Sequence, residues 1–410
     1  MIYGNQLDSD FSYVCKRPCK ETNAYKTKGK HMSKKHDSET LARNTERPVA
    51  TEPEQSCRGV QRRSFLKRLG LGGAGLIPAA GWLAGASTAR ADSGHGGLTR
   101  GDAAILRFLA AAEILETDLW QQYTELALGN EAFQKALGVL DEDMPTYVNQ
   151  NTKDELSHVQ FINAYLVSKG HRPVSLEPFR KLPSSQATGS NKTAKRLTNL
   201  MNLTVDTSWY TRYRSTGNPD FGDTFPQIVD LVNLPAIPNS DLPVGGDAIQ
   251  LIANTAGFHF ATIEQGGSSL YDSFLPKVDS AEVIRIVAAI GGSEVMHFQI
   301  WQDKAGNAPP VPVDTGALFP QLPHSDEQEA NGIDPADPID TNQVMPRPCK
   351  FISPHLPLCS VIRPTSTAQA GAMAAATGLT NSGLFKGQSR NFFGVLFGLA
   401  EEADEASRES

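Results

Sequence analysis

Glu155-Leu-Ser-His158-Val-Gln160 and Glu294-Val-Met-His297-Phe-Gln299 are two copies of one pattern. Each copy contains Glu-x-x-His followed by x-Gln, and no other Glu-x-x-His occurs in the 410 residues. Because residues three apart share a face of an α-helix, each copy can present a carboxylate oxygen and an imidazole nitrogen to one point. The pattern therefore predicts two helices that together bind metal.

A second, weaker repeat lies upstream of each copy. Glu113 precedes the first copy and Glu264 the second, and each is followed seven residues later by an aromatic side chain, Trp120 and Tyr271 respectively. A single Glu-x-x-His is more often a solvated charge pair on a helix surface than a metal site. The recurrence of both patterns in the same order favours an internal repeat of a helix pair that shares a metal site.

Apolar residues at spacings of three and four predict four helical blocks, at about residues 101–128, 145–169, 247–275 and 280–305. The two Glu-x-x-His pairs fall in the second and fourth blocks. Residues 170–246, rich in Pro, Asn and Ser, lie where a bundle with one long crossover needs its connection. The sequence thus predicts an all-α fold, a four-helix bundle with a long crossover between helices 2 and 3. Within the crossover, residues 203–214 are expected to form short strands or a cover over the bundle.

The chemistry of the repeated residues indicates a dinuclear site. Two Glu-x-x-His helices and one inward Glu from each remaining helix supply four carboxylates and two imidazoles, and the carboxylates offset two divalent cations. This mixture of oxygen and nitrogen donors suits iron or manganese better than zinc or copper. The predicted cofactor is therefore two iron or manganese ions, held by Glu113, Glu155, His158, Glu264, Glu294 and His297.

The ligand on the first helix has two candidates. The internal repeat favours Glu113, whereas Glu116 lies on the regular apolar stripe of that helix, between Ala112 and Leu119. Glu116 is therefore retained as a ligand or as a partner of the ligands. His259, five residues before Glu264, falls well around the helix from it and is interpreted as a packing or surface residue.

Four segments carry a resemblance to a known family: ILRFLAAAEILETDLWQQY at 105–123, DELSHVQF at 154–161, IEQGGSSLY at 263–271 and SEVMHFQIW at 293–301. Over roughly residues 100–306 they resemble the ferritin-like domain family, in the branch that includes plant desiccation-related proteins and many exported bacterial proteins. The resemblance implies a ferritin-like four-helix bundle with a di-iron or di-manganese centre and the six ligands named above. Trp120 stands where many relatives have Tyr.

Charge separates the N-terminal part of the chain from the rest. Residues 1–91 contain 16 Lys and Arg against 8 Asp and Glu, whereas residues 92–410 contain 22 against 37. Arg62 and Arg63 precede an apolar Gly/Ala-rich segment that ends in Ala89-Arg90-Ala91, a small-x-small cleavage pattern. This segment resembles a twin-arginine signal peptide, which predicts contact with the twin-arginine export machinery and a periplasmic or secreted location. Its Gly content and short apolar length argue against a stable membrane anchor, and the acidic remainder argues against nucleic-acid binding.

The sequence accordingly divides into three parts. Residues 1–91 are the N-terminal extension and signal peptide, residues 92–306 the bundle with its crossover at 170–246, and residues 307–410 a Pro-rich irregular C-terminal extension with a short terminal helix. Cys349 and Cys359 lie ten residues apart in that extension, and an oxidising compartment favours a disulfide between them. The sequence argues against a ferritin-type cage and leaves a smaller homo-oligomer open.

Three functions are consistent with these features. The preferred one is redox chemistry on oxygen or peroxide at the dinuclear centre, of a ferroxidase, peroxidase or catalase type, which would make the protein an oxidoreductase. The alternatives are a non-catalytic protein that binds or stores the metals, and a stress-protection bundle of the desiccation-related kind. The sequence does not distinguish iron from manganese and identifies no substrate.

Overall fold

The computed structural model describes residues 97–314, 316–319, 322, 345–363, 365–366 and 370–408. All of them belong to one compact unit, Ser87–Ser410. The signal peptide predicted within residues 1–91 lies outside the described residues, so the export route and the location stay predictions.

The described part of the chain is mostly helical, and its strands are short. Its helices are α1 (Arg100–Gly129), α2 (Glu131–Leu140), α3 (Met144–Ser168), α4 (Ser208–Tyr213), α5 (Asp247–Phe274), α6 (Ala281–Gly306), α7 (Ala372–Asn381) and α8 (Arg390–Asp404), with 3₁₀ turns at Glu177–Phe179 and Pro219–Phe221. Three antiparallel pairs join β1 (Leu182–Pro183) to β2 (Lys195–Arg196), β3 (Leu203–Val205) to β4 (Leu231–Leu234) and β5 (Val311–Val313) to β6 (Gly316–Leu318). This content agrees with the predicted all-α class.

The four helical blocks predicted from periodicity correspond to α1, α3, α5 and α6. Local signals set their ends. Thr99 caps α1 by accepting a hydrogen bond from the backbone N–H of Asp102 at 3.0 Å, and Ser280 caps α6 in the same way at Val283, at 3.1 Å. Gly170 follows α3 with a φ of +83°, a left-handed conformation that ends helices at little cost for Gly.

The four long helices pack as two pairs, α1 along α3 and α5 along α6. Buried aromatic rings join the pairs. The Trp120 ring of α1 stacks on Trp301 of α6 at a centroid distance of 5.4 Å, and Phe260 of α5 lies 4.9 Å from the first ring and 4.8 Å from the second. Among the described helices only α6 has the length and apolar composition of a membrane span, and 44% of its apolar stretch is buried in the structure, where α6 packs along α5.

The crossover is fixed to α1 through one buried carboxylate. Asp118 is fully buried and accepts hydrogen bonds from the backbone N–H of Leu197 at 3.0 Å and of Thr198 at 2.9 Å. The Thr198 hydroxyl donates to the same carboxylate at 2.7 Å, and Arg180 forms an ion pair with it. The crossover is therefore an ordered layer on the bundle and not a free loop.

Residues 203–214, expected to form strands or a cover, contain β3 and α4. α4 lies over α5, where the buried Trp209 ring is 5.3 Å from the Phe258 ring. The segment thus combines both expected features, since β3 pairs with β4 while α4 covers α5.

The C-terminal extension returns to the bundle. α8, the expected terminal helix, packs on α1 and on α7. Asp404 of α8 accepts hydrogen bonds from the first backbone N–H groups of α7, those of Ala372 at 2.9 Å and Met373 at 2.8 Å. The buried Arg363 donates to the carbonyl oxygens of Tyr213 at 3.1 Å and Gly217 at 2.8 Å in the crossover. Helix α7 was not predicted, because the small residues that form it show no clear apolar stripe.

The disulfide expected between Cys349 and Cys359 is not formed. Their backbones pair through hydrogen bonds of 3.0 and 2.9 Å, but both thiols are free. Cys349 is buried and its sulfur accepts a hydrogen bond from the Asn218 side chain at 3.5 Å, whereas Cys359 is exposed. The two sulfur atoms therefore have different surroundings although their backbones are paired.

We expect Asp118→Ala to lower the free energy of unfolding by about 3 kcal/mol, because the change leaves buried donors and the partly buried Arg180 unpaired. Glu131→Ala, which removes an exposed ion pair with Lys135, is the control and should change stability little. Urea unfolding of both variants measures the effect. Equal midpoints for the two variants would contradict this role of Asp118.

Candidate metal centre

The six ligands predicted from the repeat converge between the two helix pairs. α1 supplies Glu113 and α5 supplies Glu264, while α3 and α6 each supply a Glu and a His one turn apart. All six side chains are buried, and the least buried, His158, is only 8% exposed. They are Glu113, Glu155, His158, Glu264, Glu294 and His297.

The donor atoms of these side chains form two overlapping groups. One group is Glu113, Glu155, His158 and Glu294, and the other is Glu155, Glu264, Glu294 and His297. Within each group, one donor atom per residue lies within 4.8 Å of every other. Glu155 and Glu294 belong to both groups. If each residue of one group is replaced by its counterpart in the sequence repeat, the result is the other group. The arrangement of the donor atoms therefore follows the internal repeat of the sequence.

Both imidazoles turn the same nitrogen toward the carboxylates. His158 Nδ1 lies 3.3 Å from a Glu113 oxygen and 3.2 Å from a Glu155 oxygen. His297 Nδ1 lies 3.2 Å from oxygens of Glu155 and Glu264. The other nitrogen of His297, Nε2, is 3.1 Å from the half-exposed Asp154 carboxylate, and such a contact fixes the orientation of a metal-binding ring.

Further side chains orient the carboxylates, and the sequence analysis did not identify them as part of the site. Asn151 donates to Glu155 at 2.7 Å and to Glu264 at 2.9 Å, and Trp301 donates to the Asn151 oxygen at 2.8 Å. The Tyr271 hydroxyl donates to Glu113. Helical spacing could have identified two of them, because Asn151 lies four residues before Glu155 and Trp301 four after His297.

Glu113 and Glu116 occupy different positions relative to the two donor groups. Glu113 belongs to the first group, whereas Glu116 belongs to neither. Glu116 is only partly covered by protein, lines a neighbouring cavity and makes no hydrogen bond with any described residue. Burial and the charges of Glu155 and Glu113 raise its pKa well above the usual value. The structure thus places Glu113 within a group of atoms that could hold a metal ion and Glu116 outside both groups.

His259 also lies outside both groups. It is buried, and its Nδ1 is 2.8 Å from the Tyr123 hydroxyl oxygen. Burial lowers its pKa to about 3, so the ring is neutral at physiological pH. These contacts agree with its interpretation as a packing residue.

Protons are held tightly by the cluster in the absence of a cation. Burial raises the pKa of Glu113 to about 7, and burial together with the charge of Glu155 raises that of Glu294 well above its usual value. Burial alone would lower the pKa of His158, but hydrogen bonds to Glu113 and Glu155 outweigh it and raise the pKa to about 10. Burial alone would also lower the pKa of His297. The charge of Glu264 and the hydrogen bond to Asp154 outweigh burial and raise this pKa to about 12.

The donor set fits divalent cations on two grounds. Both oxygens of the fully buried Glu294 lack a hydrogen-bond partner among the described residues, and His158 Nδ1 is 3.6 Å away, beyond hydrogen-bond distance. With all four carboxylates ionised, their charge exceeds that of the two imidazoles even when both rings are protonated, so without a cation the excess has to be removed by protons on the carboxylates. Buried, uncompensated carboxylates are costly, and two divalent cations would balance all four.

Comparisons with known proteins identify no relative of this chain. No family model, no curated protein and no solved structure matches the chain.

We expect metal binding to release protons, so that the apparent affinity for Mn²⁺ rises with pH between about 6 and 8. The sign follows from the pKa values: both imidazoles and part of the Glu113 population are protonated near neutral pH and must lose those protons to act as ligands. Calorimetric titration in buffers of different ionisation enthalpy counts the protons. A binding heat independent of the buffer would contradict the expectation.

Asn151→Ala should weaken Mn²⁺ binding by about 10- to 100-fold, because two carboxylates lose the donor that orients them. The control is Asn163→Ala, also on α3, whose side chain bonds only to Val174 outside the cluster. Competition with a chelator measures both affinities. Similar losses in the two variants would show that Asn151 acts through general stability alone.

Proposed function

We propose that this chain is an exported ferritin-like protein that holds two iron or manganese ions in the Glu/His cluster and uses them for redox chemistry on oxygen or peroxide. The observation that carries the proposal is the pair of overlapping donor groups that share Glu155 and Glu294. Carboxylates common to two groups suit a pair of neighbouring cations, which a single-ion site does not require.

The arrangement of helices supports the ferritin-like part of the proposal. Two helices each contribute one Glu, and the other two each contribute Glu-x-x-His, the division typical of carboxylate-bridged dinuclear proteins. The helices pack as α1 with α3 and α5 with α6, and the long crossover joins one pair to the next. The mixed carboxylate and imidazole donors favour iron or manganese.

At such a centre, different residues of the chain would have different roles. When bound, the metals would supply electron exchange and Lewis acidity. Tyr271 and Asn151 hold Glu113, Glu155 and Glu264 in fixed orientations. Glu294, with no hydrogen bond to a described residue, is the carboxylate best able to change its orientation.

Asp154 provides a connection from the cluster toward solvent. Its carboxylate accepts from His297 Nε2, and about half of its side-chain surface is exposed. The hydrogen bond to His297 lowers the pKa of Asp154, so the carboxylate stays charged and orients the ring. Asp154 can therefore hold a proton at this edge only transiently, as a relay would.

The proposal is tested on the purified mature chain after reconstitution with Fe²⁺ or Mn²⁺. We expect about two ions per chain and oxygen consumption or peroxide decomposition. His158→Ala/His297→Ala should lose both the ions and the turnover, because each donor group loses its only imidazole. His355→Ala, an exposed histidine in the extension, is the matched control and should keep both.

The outcomes separate the alternatives. Two ions without turnover would favour metal storage over catalysis. A chain that binds no Fe²⁺ or Mn²⁺ under these conditions would overturn both, and would leave the stress-protection bundle, in which the cluster has no metal.

A further inference from the structure

A cavity of about 460 Å³ lies beside the Glu/His cluster. Residues of α1, the crossover, α5 and the C-terminal extension, including α7 and α8, line it. Most of the lining side chains are apolar, among them Phe108, Leu119, Ile263, Leu270, Leu379 and Leu396. The crossover and the extension thus enclose a space over the bundle.

The cavity reaches the cluster at two residues of its wall. Gly267 lines the cavity, and a Cβ atom at this position would overlap a carboxylate oxygen of Glu294. Only a residue without a side chain allows Glu294 to occupy its place. Glu116 lines the same cavity one turn along α1 from Glu113. A molecule at the Gly267 end of the cavity therefore lies next to Glu294, which belongs to both donor groups.

The charges of the wall select against anions. Its acidic members are Asp206, Asp230 and Glu116, of which Glu116 is held toward its neutral form, and no Lys or Arg occurs among the described lining residues. Asp206 is already bound to the Ser208 backbone N–H at 2.9 Å and to the Gln227 side chain at 2.7 Å. An anionic ligand would be repelled by these carboxylates, and no basic side chain of the described wall would compensate its charge. A strongly hydrated ligand would also lose its hydrogen bonds to water without replacing them at the apolar wall.

The volume indicates the size of the ligand. Oxygen or peroxide is comparable with water, whose share of liquid volume is about 30 Å³, so the cavity exceeds the needs of either by roughly tenfold. Pockets of about 300–1,000 Å³ with apolar walls and few polar groups are typical of sites for small organic molecules.

We propose that this cavity binds an uncharged, mainly apolar organic molecule and places it at Gly267 and Glu116 as the organic substrate of the metal centre. The substrate role rests on the proposed function, whereas binding in the cavity does not. Glu116 is a polar group at the cluster end of the cavity and offers a hydrogen-bond partner to a polar atom of the substrate. The crossover and the C-terminal extension then complete a substrate site.

A pair of fluorescent probes tests size, polarity and charge together. N-phenyl-1-naphthylamine is uncharged, and 8-anilino-1-naphthalenesulfonate adds a sulfonate to nearly the same skeleton. With the Mn²⁺-loaded chain we expect saturable binding of one uncharged probe per chain and about tenfold weaker binding of the sulfonate. Equal affinities, or fluorescence that rises without saturation, would overturn the proposal.

Filling the cavity locates the probe. Leu379→Trp should weaken binding of the uncharged probe by about tenfold or more. Leu251→Trp makes the same change at a half-buried Leu outside the cavity and should leave binding unchanged. Ala375→Phe fills the cavity from a neighbouring turn of α7, so the test does not depend on one variant folding. Folded cavity variants with unchanged affinity would overturn the location.

Metal-dependent line broadening tests the position next to the cluster. Proton NMR lines of the bound N-phenyl-1-naphthylamine should broaden in the Mn²⁺-loaded chain and stay sharp in the Zn²⁺-loaded chain. Two bound ions without saturable probe binding would overturn the cavity proposal and leave the metal function intact. If the chain binds the probe saturably but takes up no metal, the proposed metal function is wrong and the substrate role is overturned with it, whereas binding in the cavity stands.

Discussion

The concentration of four carboxylates in the interior of one helical bundle is the constraint on which the structure depends. Buried negative charge is tolerated only where protons, hydrogen-bond donors or cations compensate it. The side chains around the cluster supply part of that compensation: Tyr271 to Glu113, Asn151 to Glu155 and Glu264, and the two imidazoles to their nearest carboxylates. Glu294 has no such donor among the described residues, so its charge has to be compensated by a proton or by bound cations.

The same constraint links the bundle to the layers around it. Gly267 leaves room for the Glu294 carboxylate and also lies in the wall of the cavity. Asp118 holds the crossover on α1 and Asp404 holds α7 on α8, and both the crossover and α7 contribute residues to the cavity wall. Ordinary bundle packing needs neither layer. The bonds of Asp118 are buried and those of Asp404 are partly exposed, and together they keep both layers in place beside the cluster.

Much of this arrangement could be predicted from the sequence, and the limits have physical causes. Apolar periodicity located the four long helices because each buries one continuous face over many turns. The shorter α2 was not predicted, since Asn130 ends α1 and begins α2 without a loop between them. The spacing of two cysteines does not reveal that the Cys349 thiol is buried and the Cys359 thiol exposed, with no bond between them.

By itself the sequence determined the long helices and the candidate donor residues. Helical spacing at Glu155/His158 and Glu294/His297 is a property of a single segment, and the internal repeat is a property of two aligned segments. Only the tertiary structure showed that Glu113 lies in the cluster and Glu116 outside it, paired Tyr271 with Glu113 and Asn151 with Glu264, and formed the cavity. The physical reason is that these features are distances between elements far apart in the chain. Periodicity shows which face of a helix is buried but not what that face meets.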